Sequence, residues 1–294
     1  MSNILSRIAI GSAQFGMRYG IANDGGQISR EVGQGILTLA AYNGINTIDT
    51  AIAYGDSEKR LGEIGVSDWR IVSKLPHLPD DCTDIVQWVT ASVNGSMRRL
   101  NVSTLDGLLL HRPQQLVEKH GESLFNILQS LKHDGVVGKI GISIYDPSEL
   151  DMLCSRFQFD LVQAPFNILD RRLIETGWLA RLGELGTELH VRSVFLQGLL
   201  LMSSAHRPEK FKSWGLLWSD WDRWLHLNGI TPLQACLRYV LSFPQISKVI
   251  VGVDSPQQLR EILSASSGDF PELSDTLKTS DLRLINPANW DVLT

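Results

Sequence analysis

Short apolar, β-branched runs alternate along the chain with longer stretches in which apolar residues recur every three or four positions. Eight runs read as strands: Arg7–Ser12, Asn46–Asp49, Arg70–Lys74, Thr104–His111, Gly138–Ser143, Leu161–Ala164, Leu189–Ser193 and Val249–Gly252. Between two of them Ile85, Val89, Val93 and Met97 repeat at every fourth position, with Trp88 and Leu100 beside them. Leu124, Ile127, Leu128 and Leu131 draw a second one-sided apolar face. That period is the signature of an amphipathic helix. Leu259, Ile262 and Leu263 follow Pro256, a favourable first-turn residue. Asn43-Gly44 before Ile45 and Asp134-Gly135 before Val136 read as helix ends.

Strands alternating with helices predict a parallel sheet with crossover connections. Eight such repeats fit a closed (β/α)8 TIM barrel better than an open sheet. The glycine fingerprints of open nucleotide-binding sheets, G-x-G-x-x-G and G-x-x-x-x-G-K-[ST], do not occur. The chain has 294 residues, and a barrel of roughly 250 residues is one domain. Residues 1–294 are therefore expected to form a single barrel domain. The connection after the seventh strand, from Gly198 to about Gly229, is extended and precedes a helix over Thr231–Leu241. It carries Trp214, Trp218, Trp221 and Trp224 at helical spacing. The simplest expectation is a helix packed over the barrel; an aromatic wall for substrate, or a protein contact, is the alternative. Trp290 is expected to dock the tail.

Composition narrows the function. Hydrophobic residues make up 43% and charged residues 20%, the balance of an ordinary folded chain. A net charge of −5 without a basic stripe argues against nucleic acid as a partner. No run reaches the roughly 18 uncharged apolar residues of a membrane helix, so no membrane association is expected. Cys82, Cys154 and Cys236 lie far apart, which fits neither a disulfide framework nor a zinc knuckle. No H-x-H or H-E-x-x-H cluster suggests a metal. The apolar segment near the N-terminus is too short for a secretory signal, and a cytoplasmic location is expected. Nothing in the sequence sets the oligomeric state.

Barrel enzymes carry their reactive groups at the C-terminal ends of the strands and in the loops that follow. Asp49 ends the second strand, Tyr54 lies in the next loop, Lys74 ends the third strand and His111 the fourth. These strands are neighbours, so the four side chains can converge on one rim. A free tyrosine, with a pKa near ~10, is a poor proton donor at neutral pH. An ammonium beside it lowers that value. Lys74 is expected to supply the charge, Asp49 to hold Lys74, and His111 to hydrogen-bond a substrate oxygen. Such a set suits a reaction that protonates an oxygen as negative charge develops on it, for example carbonyl reduction. Taken singly, each residue also has a bland reading: a helix cap, a solvated charge, a packed loop ring or a structural histidine.

The segments IDTAIAYGDSEKRLGE (Ile48–Glu63), SKLP (Ser73–Pro76) and LDGLLLHRP (Leu105–Pro113) resemble those of the aldo-keto reductases. The resemblance continues through GKIGIS, LVQAPFNILDRR, RSVFLQGLL, GITPLQACLRYVL and VIVGVDSPQQLREIL, in order over nearly the whole chain. It implies that Asp49, Tyr54, Lys74 and His111 are a catalytic tetrad and that a nicotinamide cofactor lies across the barrel top. NADP(H) is the cofactor the family favours, with NAD(H) as the alternative, and a small carbonyl compound such as an aldehyde, ketone or sugar is the implied substrate. By the same analogy Ser143 and Gln163 would bind the carboxamide, and Asn167 would contact the acceptor side or brace its loop. Arg192, Ser193, Phe195, Gln197 and Gly198 would line the cofactor after the seventh strand. Gly252, Val253, Ser255, Gln258 and Glu261 would do so after the eighth.

Three positions depart from the family pattern. Ile144 follows Ser143 where an asparagine is common, Arg192 stands where an aromatic ring often stacks on the nicotinamide, and Gln258 replaces an arginine, with Asp254 nearby. Arg260 is the available substitute cation, and the departures put the NADPH preference in question. They also keep a second expectation in view: a catalytically weak, reductase-like nucleotide-binding regulatory subunit.

Overall fold

The computed structural model describes residues 4–23 and 25–293. Strands β1 (Ile8–Gly11), β2 (Thr47–Asp49), β3 (Arg70–Leu75), β4 (Leu105–Leu110), β5 (Val137–Ser143), β6 (Leu161–Pro165), β7 (Glu188–Arg192) and β8 (Ile246–Gly252) close a barrel in chain order. Every neighbouring pair is parallel, and closure sets Ile8 opposite Val249 and Gly11 opposite Gly252. Strands covered on both faces read as continuous apolar runs. All eight expected strands form; the widest difference is at β8, which starts at Ile246 rather than Val249.

The crossover helices are α1 (Arg30–Tyr42), α2 (Ser57–Ile64), α3 (Ile85–Leu100), α4 (Gly121–His133), α5 (Glu149–Arg156) and α6 (Trp178–Glu184). Helices α7 (Gly215–Asn228) and α8 (Pro232–Leu241) lie between β7 and β8, and α9 (Pro256–Ala265) follows β8. Their ends have local causes. Asp84 accepts from the Gln87 N–H at the start of α3. Thr231 and Gln234 form a reciprocal capping box before Pro232 at the start of α8. Gly44 at φ +78° and Gly135 at φ +72° turn the chain out of α1 and α4, as the Asn-Gly and Asp-Gly pairs imply.

The main core is the shell between strands and helices. Val72, Leu109 and Leu161 form a separate cluster, as expected of side chains filling the barrel interior. At the N-terminal strand ends Lys139 bridges Glu188 at 2.6 Å and Asp106 at 3.6 Å. The long connection is a packed helix: Trp218, Trp221 and Trp224 are buried, while Trp214 stands at its N-cap. Their indoles support the scaffold. Trp218 donates to Phe211 O and Trp224 to Glu272 O. Trp290 is buried against Phe211, with ring centroids 4.9 Å apart. No described helix is long and apolar enough to cross a membrane.

Candidate active site

Asp49 lies opposite Val72 in the β2–β3 register. Lys74, one pleat further along β3, points to the same side and reaches the carboxylate. Its Nζ donates to Asp49 Oδ1 at 2.8 Å, to Oδ2 at 2.7 Å and to Thr50 O at 2.9 Å. The Lys74 side chain is 0% and the Asp49 side chain 6% exposed. Burial pulls the Lys74 pKa down, and Asp49 opposes that shift.

The ammonium lies 5.0 Å from the centre of the Tyr54 ring. The Tyr54 ring meets the His111 ring edge-on, with centroids 5.8 Å apart. The chain thus brings Asp49, Tyr54, Lys74 and His111 together. Gly16 fixes how closely the turn after β1 approaches this group. A Cβ there would lie 1.8 Å from Tyr54 O and 2.4 Å from Ser57 N. Burial and the Lys74 charge lower His111 to about 4, so its imidazole is neutral at pH 7.

One expectation is corrected. The Tyr54 phenol is pushed up from its ordinary value, first by burial and then by the Asp49 carboxylate; Arg192 pulls it down. The physical reason is burial of the ring beside a carboxylate, with no relief from Lys74. All three short contacts of the Lys74 ammonium go to Asp49 and Thr50, so its charge reaches the tyrosine largely neutralised. The cation opposing the rise is Arg192.

A cavity of about 330 Å³ opens beside Asp49 and Tyr54. Its walls come from the loop after β1 (Gln14, Tyr19, Gly20, Ala22, Asn23) and the loop after β7 (Arg192, Ser193, Phe195, Gln197, Gly198). Gly252, Asp254, Gln258 and Glu261 complete it after β8. The β1 loop forms a strap that meets the loops after β8 and β7. Asn23 Nδ2 donates to Asp254 Oδ1 at 3.0 Å. A Cβ on Gly198, at φ +93°, would come within 2.7 Å of the Ala22 Cβ. The β7 loop is strained: Ser193, Leu196 and Gln197 have φ of 60°, 48° and 54°. Such residues store about 1–3 kcal/mol each and cluster at functional sites. Arg192 stacks on Tyr145, with Cζ 4.6 Å from the ring centre, and donates to Ile144 O and Ser193 Oγ.

A profile of the Aldo/keto reductase family matches residues 7–276. The chain belongs to the aldo/keto reductase family. It is an oxidoreductase of carbonyl compounds, and its family uses nicotinamide cofactors. It is 28% identical to D-threo-aldose 1-dehydrogenase of Pseudomonas sp, over 90% of this chain and 92% of that one. It is 25% identical to an oxidoreductase, YqkF, of Bacillus subtilis (strain 168), over 79% of this chain and 81% of that one. Among solved structures, the holo form of aldo-keto reductase AKR11C1 from Bacillus halodurans superposes with a TM-score of 0.73. Identity there is 20%, covering 94% of this chain and 95% of that one. Glycerol dehydrogenase AKR11B4 from Gluconobacter oxydans gives 0.69 at 22% identity, covering 96% and 93%. These two likenesses concern the fold.

The remaining candidates of this reductase divide. Arg192, Ser193, Phe195, Gln197, Gly198, Gly252, Gln258 and Glu261 line the cavity. Ser143 and Gln163 are buried behind it and bind one another: Ser143 Oγ donates to Gln163 Oε1 at 3.2 Å, and Gln163 Nε2 donates to Asp49 Oδ1 at 2.6 Å. Here they orient the carboxylate. Val253 is buried, and Ser255 Oγ accepts from the Gln258 N–H as the cap of α9. Asn167 braces the β7 loop by donating to Ser193 O. A Cβ on Gly252 would meet the Gln14 amide at 2.5 Å, so its small size serves packing as well. The β1 loop residues Tyr19 and Asn23 were not foreseen. Their signal was a tyrosine and an asparagine among glycines just past a strand end.

Proposed function

We propose that the chain reduces a small carbonyl compound to an alcohol with a nicotinamide dinucleotide as hydride donor. The observation that carries the reading is the buried Asp49–Lys74 pair against the Tyr54 ring at the cavity wall. The residues lining the cavity suit such a cofactor. Arg192 presents a guanidinium whose partners are a carbonyl and a hydroxyl, and the loop after β7 bends through three left-handed residues beside it. Arg192, Ser193, Gln197 and the strap around Asn23 would hold the dinucleotide, whose nicotinamide supplies the hydride when bound.

Tyr54 acts as the acid. Its raised pKa keeps the phenol protonated at rest, and the proton moves as charge grows on the carbonyl oxygen. Neutral His111 donates a hydrogen bond to that same oxygen, which polarises it before transfer. Lys74, held by Asp49 and through it by Gln163 and Ser143, fixes the floor under the tyrosine ring, and Arg192 is the cation that limits the cost of forming phenolate. This placement favours a catalyst over a regulatory subunit that only binds nucleotide. The likeness to a D-threo-aldose 1-dehydrogenase makes aldoses and short polyol-derived aldehydes the first substrates to assay.

The test is steady-state oxidation of reduced nicotinamide by that panel, with wild type and Tyr54→Phe compared. Turnover should fall by at least about a hundredfold in the variant, while nucleotide titration of tryptophan fluorescence stays near wild type. Undiminished turnover in Tyr54→Phe would remove the assigned acid.

A further inference from the structure

We infer that the cavity is built for a dinucleotide whose adenosine ribose carries a free 2′-hydroxyl, so that NAD(H) is preferred over NADP(H). This rests on the proposed function above and specifies its cofactor. Hydride must be delivered beside Tyr54, so the nicotinamide end belongs at the Asp49–Tyr54–Arg192 end of the cavity. The other end, between the loop after β8 and α9, is left for the adenosine half. Phosphate sites by the loops after β7 and β8 are common in this barrel, which places the pyrophosphate between the two ends.

The charges at the far end decide the ribose. Asp254, Gln258 and Glu261 face it, and Arg192 is the sole lysine or arginine among the described lining residues. Arg192 stands at the opposite end, held to Ile144 O and Ser193 Oγ. Arg260 does not substitute. Two residues beyond Gln258 on α9, it projects from another face of the helix, where its Nε donates to Gln257 Oε1 at 3.1 Å. A phosphate monoester carries nearly two negative charges at neutral pH. At this end it would meet the half-buried Asp254 and the Glu261 carboxylate, with no lysine or arginine among the described lining residues there to balance it. A ribose hydroxyl is suited to the same place. It can donate to Asp254, whose Oδ1 accepts from Asn23 and whose position is fixed by its N–H donating to Gln258 Oε1 at 2.7 Å. Asp254 thus ties the strap down and marks the ribose.

The experiment is parallel titration of the full chain with NADH and NADPH, read as quenching of tryptophan fluorescence without substrate. Wild type should bind NADH at least about tenfold more tightly, since like charges brought together are strongly disfavoured. Asp254→Asn keeps an acceptor for Asn23 and removes the charge, and Gln258→Arg adds a cation at an exposed position. Each should tighten NADPH binding about tenfold, with NADH changed less. Equal or tighter NADPH binding by wild type overturns the inference and leaves the carbonyl reductase reading standing. So does NADPH affinity that stays unchanged in both variants. If neither nucleotide quenches the protein, the reading beneath falls too, and this inference with it.

Discussion

Lys74 Nζ lies within 2.8 Å of both carboxylate oxygens of Asp49 and 5.0 Å from the centre of the Tyr54 ring. A single ammonium therefore closes a buried charge pair and lies against the Tyr54 ring. Its two duties can be separated. Lys74→Met leaves Asp49 buried and unpaired, and breaking a buried pair from one side costs about 3–5 kcal/mol. The double variant Asp49→Leu with Lys74→Met removes both charges and should recover much of that loss. Activity should stay lost in both, by about a hundredfold or more. Urea unfolding and turnover measured on the same samples check this. If the double variant were less stable than Lys74→Met, the pairing argument would be wrong.

His111 gives a pH dependence with a definite sign. Burial and the Lys74 charge lower it from 6.5 to about 4 in the folded chain. Between those values the unfolded histidine binds a proton and the folded one does not. Its contribution is therefore full above about pH 6.5 and is lost as pH falls toward 4. The expected result is a melting temperature that drops faster on acidification in wild type than in His111→Gln over that window. Parallel curves would show that the imidazole is not desolvated as described.

Gly16 ties the turn after β1 to the tyrosine. Its missing Cβ would overlap Tyr54 O and Ser57 N, both backbone atoms that cannot swing aside. Overpacking of this kind costs about 1–3 kcal/mol, and sometimes more. Gly16→Ala should lower stability and reduce turnover together, because relief of the clash displaces Tyr54. Gly215 is the control: it lies in α7 with open space around its Cβ position. Alanine there should stabilise by up to about 1 kcal/mol and leave turnover unchanged. A Gly16→Ala variant with normal melting and normal rates would contradict the close approach.

These residues differ in how far the sequence could reveal them. The strands were legible because each buries both faces and so announces itself locally. Asp49, Tyr54, Lys74 and His111 were legible because each sits at or just past a strand end, where a polar residue stands out. The tyrosine's acidity was not. It depends on how deeply the ring is buried and on how near Asp49 lies, and only the closed barrel decides both. The bond that ties Gln163 to Asp49 was not legible for a similar reason. Gln163 reaches Asp49 across 114 positions of chain, and that distance leaves no spacing pattern. The strap is the same case: Asn23 and Asp254 meet only because β1 and β8 close the barrel.

The tail and the long connection form a joint unit, which the final prediction tests. Trp290 is buried, its Nε1 donates to Leu284 O at 2.9 Å, and its ring meets Phe211 edge-on. Lys210 Nζ donates to Trp290 O from the same connection, and Trp214 Nε1 donates to Asp281 from the N-cap of α7. Trp290→Ala should therefore cost about 3–5 kcal/mol. Trp290→Phe keeps the ring contact and loses the indole hydrogen bond, at a cost of about 1 kcal/mol. Because α7 packs through buried Trp218, Trp221 and Trp224, loosening the tail should also shift the protein's tryptophan emission to the red before global unfolding. Urea titrations followed by fluorescence and by circular dichroism would show the two transitions separating in Trp290→Ala and coinciding in wild type. Coincident transitions in both would mean that the tail adds nothing to the hold on this connection.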